Sequence, residues 1–233
     1  MLEKLAAGLL AGLVAVGSTM ATVGSAAAQS FQPAIIFDMG GKFDGSFNEA
    51  AYNGAERFKK ETGISYLEFE VTNESQRDQA LTRMARRGAG IVVAVGFSFA
   101  TPLGKISGEN PNVKFTIIDA KVEAPNVQSI VFKEHEGSFL VGIAAAMASK
   151  TGKVGFVGGM DIPLIRNFLY GYEQGVKHVD PNAQVLANMT GDTPSAWNDP
   201  ARGKELAIGQ FDRGADVVYH AAGGTGRGVL EAA

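Results

Sequence analysis

Short β-rich apolar runs alternate with longer segments of helical periodicity from Pro33 onward. This alternation is typical of parallel βαβ units, in which a helix carries the chain from one strand to the next. Several runs are continuously apolar, as expected for strands that helices cover on both faces. The pattern predicts an α/β fold with eight strands, at residues 34–38, 65–71, 91–95, 113–119, 127–132, 153–159, 183–189 and 215–221.

The segments between the strands carry helix signals. Ser46 and Glu49 have the S-x-x-E spacing of a capping box, and the apolar residues that follow repeat at helical spacing. Pro163 and Pro200 can each open a helix, because the missing amide proton costs nothing at the first helical position. Segment 136–149 is almost wholly apolar after its first turn, so we expect that helix to be deeply packed.

Two α/β lobes with the same architecture are predicted. A connection at residues 121–128 interrupts the strand and helix rhythm, so the boundary is placed there, with a first lobe at 29–126 and a second at 127–233. The last strand leads into a glycine-rich turn and a helix of only about two turns. We therefore expect the second lobe to be incomplete and the chain to be truncated.

The first 28 residues are predicted to be a cleavable signal peptide. After Lys4, residues 5–17 form an apolar stretch without charge, and small residues lead to three alanines at 26–28. This matches the A-x-A cleavage pattern, with the mature chain starting near Gln29. An uncleaved membrane anchor is the alternative. No second apolar stretch of spanning length follows, so the mature protein is expected to be free of the membrane.

The charge and residue composition of the chain argue against several classes of protein function. The formal net charge is -3, so no basic field favours nucleic acid as a partner. The chain has no cysteine, which excludes disulfides, thiolate nucleophiles and thiolate metal sites, and its three histidines make a histidine-rich metal site unexpected. No G-x-S-x-G or H-E-x-x-H motif occurs, and no serine, histidine and carboxylate constellation is evident. We therefore expect a protein that is not an enzyme and needs no cofactor.

The turn after the first strand, residues 38–48, is the strongest candidate for ligand contacts, because open α/β sheets bind ligands at the carboxyl ends of their strands. It combines glycines, carboxylates, an amide and aromatic rings beside a helix start. Carboxylates can accept hydrogen bonds from hydroxyls, Asn48 can pair with a heterocycle edge, and a phenyl ring can stack. The alternative is that Asp44 and Ser46 only cap the helix and Phe47 only packs against it.

Later strand ends add weaker candidates. Asp119 ends the fourth predicted strand and is either an acceptor for ligand hydroxyls or an ordinary loop carboxylate. Phe168 lies on the helix after a Gly-Gly turn and could contact a ligand or pack in the core. The glycine run at 222–228 does not fit the G-x-G-x-x-G spacing cleanly, so it favours the wall of a solute pocket over a dinucleotide site.

Four segments carry a family resemblance, namely residues 38–58, 115–119, 131–175 and 214–233. In these segments the chain resembles the basic-membrane-protein family of substrate-binding proteins, a purine-nucleoside-receptor group that serves ABC importers, and the resemblance covers nearly the whole mature chain. The resemblance implies a type I periplasmic-binding-protein fold, in which two hinged Rossmann-like lobes with parallel sheets close over a solute. It also implies a nucleoside ligand, an ABC permease as partner and a chain that continues beyond Ala233.

The resemblance also implies ligand contacts. Phe47 would stack on the base and Asn48 would contact it, while two aspartates of the first lobe would make polar contacts. The full set is Asp38, Phe47, Asn48 and Asp119 in the first lobe, with Phe168 and Gly224 in the second.

One departure from the family changes the expected location. Many members are lipoproteins, whereas this chain lacks the cysteine that would carry the lipid. We therefore expect a free periplasmic protein that acts as a monomer. The alternatives are a receptor for another sugar-bearing or small polar solute, a ligand sensor for a membrane signalling partner, and an exported Rossmann-like enzyme.

Overall fold

Two parallel β-sheets organise residues 31–233, the part of the chain that the computed structural model describes. The predicted signal peptide at residues 1–28 lies outside these residues. Strands and helices alternate, and all eight predicted strands are present close to their expected limits. The α/β fold class with parallel sheets is confirmed.

The first sheet consists of β1 (Pro33–Phe37), β2 (Leu67–Glu70), β3 (Ile91–Val95), β4 (Lys114–Ile118) and β5 (Val127–Ile130). Its order is β2-β1-β3-β4-β5, and every pairing is parallel. Three helices follow the first three strands, namely α1 (Phe47–Thr62), α2 (Gln76–Arg86) and α3 (Ala100–Glu109).

The second sheet consists of β6 (Lys153–Met160), β7 (Gln184–Gly191) and β8 (Val217–Ala221), in the parallel order β7-β6-β8. Its helices are α4 (Glu134–Ala148), α5 (Pro163–Val179), α6 (Pro200–Asp212) and α7 (Gly226–Ala232). Proline opens α5 and α6 as predicted.

The core explains why the strands of the first sheet read as continuous apolar runs. Ile36 packs against residues of α2 and α3 on one face of the sheet. Its neighbours Ile35 and Phe37 pack beneath α1 on the other face. Successive strand residues point to opposite faces, and both faces are covered, so each position in β1 favours an apolar side chain.

The strand at 127–130 corrects the predicted lobe boundary. Placing the second lobe at 127–233 assigned this strand to it, but β5 pairs with β4, with Val127 opposite Phe115. β5 completes the edge of the first sheet before the chain leaves it. The predicted connection at residues 121–128 therefore lies within the first sheet, where it forms most of the loop from β4 to β5 and the first two residues of β5.

The expectation that α4 is deeply packed is wrong. Leu140 and Met147 are 66% and 74% exposed, whereas the buried positions are small residues such as Gly142. A side chain at Gly142 would overlap the Tyr172 carbonyl of α5, so the two helix backbones approach closely on the glycine face. The larger apolar side chains then point outward. No helix within residues 31–233 is both long and apolar enough to cross a bilayer.

Candidate ligand-binding site

A cavity of about 430 Å³ is lined by residues from both halves of the described structure. In the first half, the lining residues follow the carboxyl ends of β1, β3 and β4. In the second, they come from α5, the end of β8 and the short 3₁₀ helix Pro194–Trp197. Parallel α/β sheets bind ligands at this edge, and the volume is that of a small-molecule site.

Most residues predicted to contact a ligand meet in this cavity. The lining includes Asp38, Phe47, Asn48, Asp119 and Phe168. Gly224 is buried next to the wall, and the adjacent Gly223 takes the lining position. Phe168 also packs against the core of the second sheet, which is one of the two roles considered for it from the sequence, and its contact with a ligand stays a prediction.

Asp44 organises the start of α1. Its carboxylate accepts the backbone N–H groups of Ser46 at 2.8 Å, Asn48 at 3.1 Å and Glu49 at 3.1 Å. The predicted capping box is wrong, since the Ser46 side chain makes no capping hydrogen bond and Glu49 accepts from the Gly45 N–H instead. A charged carboxylate is a stronger acceptor than a hydroxyl, so Asp44 takes the free N–H groups of the first turn.

Asn48 is buried, and its amide is engaged within the same loop. Its Oδ1 accepts the Asp38 N–H at 3.2 Å, and its Nδ2 donates to Asp44 Oδ2 at 3.2 Å and to the Asp38 carbonyl at 3.4 Å. An amide has two donor protons and two acceptor lone pairs, so both protons are used. Asn48 therefore fixes the loop beside Phe47, and its role as a base contact stays a prediction.

Asp38 follows β1 and forms an ion pair with Arg77 from the first turn of α2. Arg77 Nε donates to Asp38 Oδ1 at 3.0 Å, and Nη2 lies 2.9 Å from the same oxygen. Nη2 makes no hydrogen bond with the described residues, because its N–H groups are not directed at an acceptor. The side chains are 7% and 14% exposed, so protein rather than water compensates the carboxylate charge.

Asp119 occupies an unusual position at the end of β4. Its backbone is left-handed, with a φ of 68°, and no other non-glycine residue within 31–233 has a positive φ. Such strain costs roughly 1–3 kcal/mol and is concentrated at functional sites. Burial raises the pKa of Asp119 from 3.8 to about 6, and the Glu134 carboxylate adds to the rise. Near pH 6, this carboxyl group can therefore either donate or accept a hydrogen bond.

Trp197 is a lining residue that the sequence analysis did not predict. It ends the short 3₁₀ helix before α6, and its ring meets that of Phe97 edge to face, with centroids 6.1 Å apart. A side chain at Gly159 would overlap the Trp197 ring, so this glycine makes room for it. The available signal was the Gly-Gly pair just before the last residue of β6, which indicates close approach by another group.

His220, on β8, is a second lining residue that was not predicted. Burial lowers the pKa of His220 from 6.5, so its imidazole is neutral at pH 7. Its Nδ1 is buried and has no hydrogen-bond partner among the described residues, and the ring lies directly against Gly226. The position near the carboxyl end of a strand was the only sequence signal for it.

Arg227 links α7 to the loop between β1 and α1. Its Nε donates to the Asp44 carbonyl at 3.1 Å, and its Nη2 donates to the Phe43 carbonyl. A side chain at Gly45 would come within 3.2 Å of Nε, so the arginine passes close to the loop backbone. One side chain from the second half of the fold therefore contacts the loop that forms one wall of the cavity.

The three lining aspartates have different chemical capacities. Asp44 is satisfied by N–H donors, and the charge of Asp38 is compensated by Arg77. Asp119 has the raised pKa. With aromatic rings also in the wall, the cavity suits a neutral ring compound that carries hydroxyl or N–H donors. Within residues 31–233, no group of three or more histidine, aspartate or glutamate side chains could hold a metal ion.

Comparisons with known proteins agree with this architecture. The family model described as PnrA-like ABC transporter substrate-binding protein matches residues 31–233. The CD4+ T-cell-stimulating antigen of Listeria monocytogenes is 35% identical over 210 residues, 87% of this chain and 57% of the relative. The ABC transporter nucleoside-binding protein BmpA of Lactococcus lactis is 34% identical over 205 residues, 86% of this chain and 57% of the relative.

The fold is also similar to solved structures. A solute-binding protein of an ABC transporter system from Aeropyrum pernix is 33% identical with a TM-score of 0.79, over 87% of this chain and 58% of that chain. The chain spans 57% of the length of each of the two curated relatives.

Proposed function

The chain belongs to the family of PnrA-like ABC transporter substrate-binding proteins, and we propose that it binds a nucleoside, with purine nucleosides as the first candidates. The observation that carries the proposal is the composition of the cavity wall, in which aromatic rings lie beside aspartates. Aromatic faces stack on a heterocyclic base, and carboxylates accept hydrogen bonds from sugar hydroxyls. The name of the Lactococcus relative supports the same ligand class.

The proposal assigns separate parts of a nucleoside to separate groups. Phe47, Phe97 and Trp197 offer flat apolar surface for the base. Asp38 and Asp119 are the proposed acceptors for hydroxyl or N–H donors. The carboxylates of Asp44 and Asp119 in the wall disfavour a phosphate, so a nucleoside is favoured over the corresponding nucleotide.

The proposed partner is an ABC permease that accepts the solute from this protein. The proposed location is the periplasm, reached by the signal peptide predicted at residues 1–28. Binding without chemical conversion is proposed, so recovered ligand should be unchanged. The two curated relatives have longer chains, and these proposals concern the whole protein.

Tryptophan fluorescence offers a direct test, because Trp197 is the single tryptophan of the chain and lines the cavity. The full chain is titrated with inosine, adenosine, guanosine and cytidine, and in parallel with AMP, ribose and an amino acid. Saturable changes with nucleosides but not AMP are expected, together with a rise in Tm from mass action. If only ribose or only an amino acid changed the fluorescence, the protein would bind that class of solute and not nucleosides. No response to any probe would contradict the proposal.

A further inference from the structure

In the ion pair between Asp38 and Arg77, the two carboxylate oxygens of Asp38 have different surroundings. Both guanidinium contacts go to Oδ1, at 3.0 Å from Nε and 2.9 Å from Nη2. Oδ2 lies on the side of Gly96, where an added Cβ would be 3.4 Å away. Asp38 and Gly96 both line the cavity. One oxygen is thus committed to the protein, and the other is at the cavity edge.

Arg77 supplies charge without entering the site. It is not among the lining residues in the described part of the chain, and its side chain is 7% exposed. Its guanidinium lies over the Phe99 ring, with the centroid 6.0 Å away, so packing also restrains it. A fixed guanidinium beside a carboxylate offsets its negative charge, so the pair has no net charge and its field falls off steeply with distance.

We propose that Arg77 determines the charge specificity of the cleft, by holding Asp38 as a compensated acceptor for neutral hydrogen-bond donors. This inference rests on the proposed function and concerns the same site. A carboxylate without a countercharge in a partly buried wall attracts a cation, whereas a compensated one favours a hydroxyl or N–H donor. Arg77 therefore selects neutral solutes over protonated amines while touching neither.

The test compares neutral and cationic ligands of one shape. Affinities for adenosine, 5′-amino-5′-deoxyadenosine and 3′-amino-3′-deoxyadenosine are measured by calorimetry on the full chain and on Arg77→Met. The Arg77→Met variant loses the charge-assisted contact between Arg77 and Asp38, so Asp38 is no longer held in place. Adenosine binding is therefore expected to weaken roughly 10-fold. The preference for adenosine over at least one amino analogue should fall by about 10-fold, because Asp38 has lost its countercharge.

Two further variants separate specificity from stability. Arg77→Lys keeps the charge and should keep the wild-type preference for adenosine, and Arg83→Met removes an exposed arginine of the same helix and should change neither affinity nor preference. If Arg77→Met lowers Tm but leaves both preferences within about twofold of wild type, Arg77 has only a structural role and the inference is overturned.

Two outcomes are covered by other measurements. If Arg77→Met does not fold, the double variant Arg77→Met with Asp38→Asn is used, because it removes both charges. Adenosine should bind the double variant as tightly as it binds the single variant Asp38→Asn. Weaker binding to the double variant would show that Arg77 acts independently of Asp38 and would overturn the inference. If wild type binds no nucleoside, the proposed function fails. Crystal structures of the free proteins then decide: Asp38 should keep its rotamer in Arg77→Lys and leave it in Arg77→Met, and an unmoved carboxylate in Arg77→Met overturns the inference that Arg77 holds Asp38.

Discussion

Replacing Asp119 by asparagine is expected to stabilise the folded protein at neutral pH and to weaken ligand binding. The pKa of Asp119 is about 6 in the folded protein, above its ordinary value of 3.8, because folding removes the carboxylate from water and places it near Glu134. A folded-state pKa above the unfolded value means that the folded protein holds the proton more tightly. The folded state is therefore favoured by this group at low pH and loses that advantage as the pH rises through about 6.

The size of the effect follows from the same two values. A rise from 3.8 to about 6 corresponds to ~3 kcal/mol at 1.36 kcal/mol per pKa unit. Water still reaches part of the side chain, which reduces the expected cost at pH 7.5 to roughly 1–2 kcal/mol. Asparagine carries no charge and tolerates the left-handed backbone at φ 68°, so it should recover this cost without adding strain.

Urea denaturation at pH 7.5 and pH 4 measures the difference. Asp119→Asn should raise the free energy of unfolding at pH 7.5 by about 1–2 kcal/mol, and the gain should shrink towards pH 4. Asp192→Asn, at an exposed position, is the matched control and should show no such dependence. A variant that is equally stable to wild type at both pH values, or less stable at pH 7.5, would refute the assignment of a buried, desolvated carboxylate.

Three further changes test other parts of the site. Asp44→Ala removes the acceptor of three N–H groups at the start of α1, so unfolding should require roughly 1–3 kcal/mol less, and an unchanged urea midpoint would contradict this role. Gly159→Ala should displace the Trp197 ring and shift the fluorescence spectrum, whereas an unchanged spectrum would show that the ring is held elsewhere. Arg227→Leu should speed ligand release about three- to tenfold in stopped-flow measurements, because the contact with the Asp44 carbonyl is lost; an unchanged rate would limit Arg227 to a surface role.

The strands could be predicted from sequence because their signals are local. Runs such as residues 91–95 are apolar at every position, and two-sided burial follows from that pattern alone. The packing of α4 could not be predicted in the same way. Apolar composition does not say which face is buried, and here the glycine face that meets α5 decides it. The pairing of β5 with β4 is likewise a contact between segments, which no local pattern records.

The candidate site was most directly predictable where a residue follows a strand. Asp38 and Asp119 meet that rule, and both line the cavity. Trp197 comes from a short 3₁₀ helix that carries no strand signal, and its place in the wall depends on the missing side chain at Gly159. The capping-box prediction was wrong because the motif considers only the spacing of Ser46 and Glu49. It does not consider the nearby Asp44, which accepts the N–H groups at the start of the helix.

The three lining aspartates show why residue type does not determine role at such a site. Asp44 is bound by N–H groups of its own loop, Asp38 by an arginine 39 positions away, and Asp119 mainly experiences burial. These partners give one structural carboxylate, one compensated acceptor and one group that changes protonation near pH 6. Exchanging Arg77 should therefore alter ligand charge preference, while exchanging Asp119 should alter pH dependence. If both variants changed the same property, the separate roles assigned to these carboxylates would have to be replaced by a shared electrostatic field.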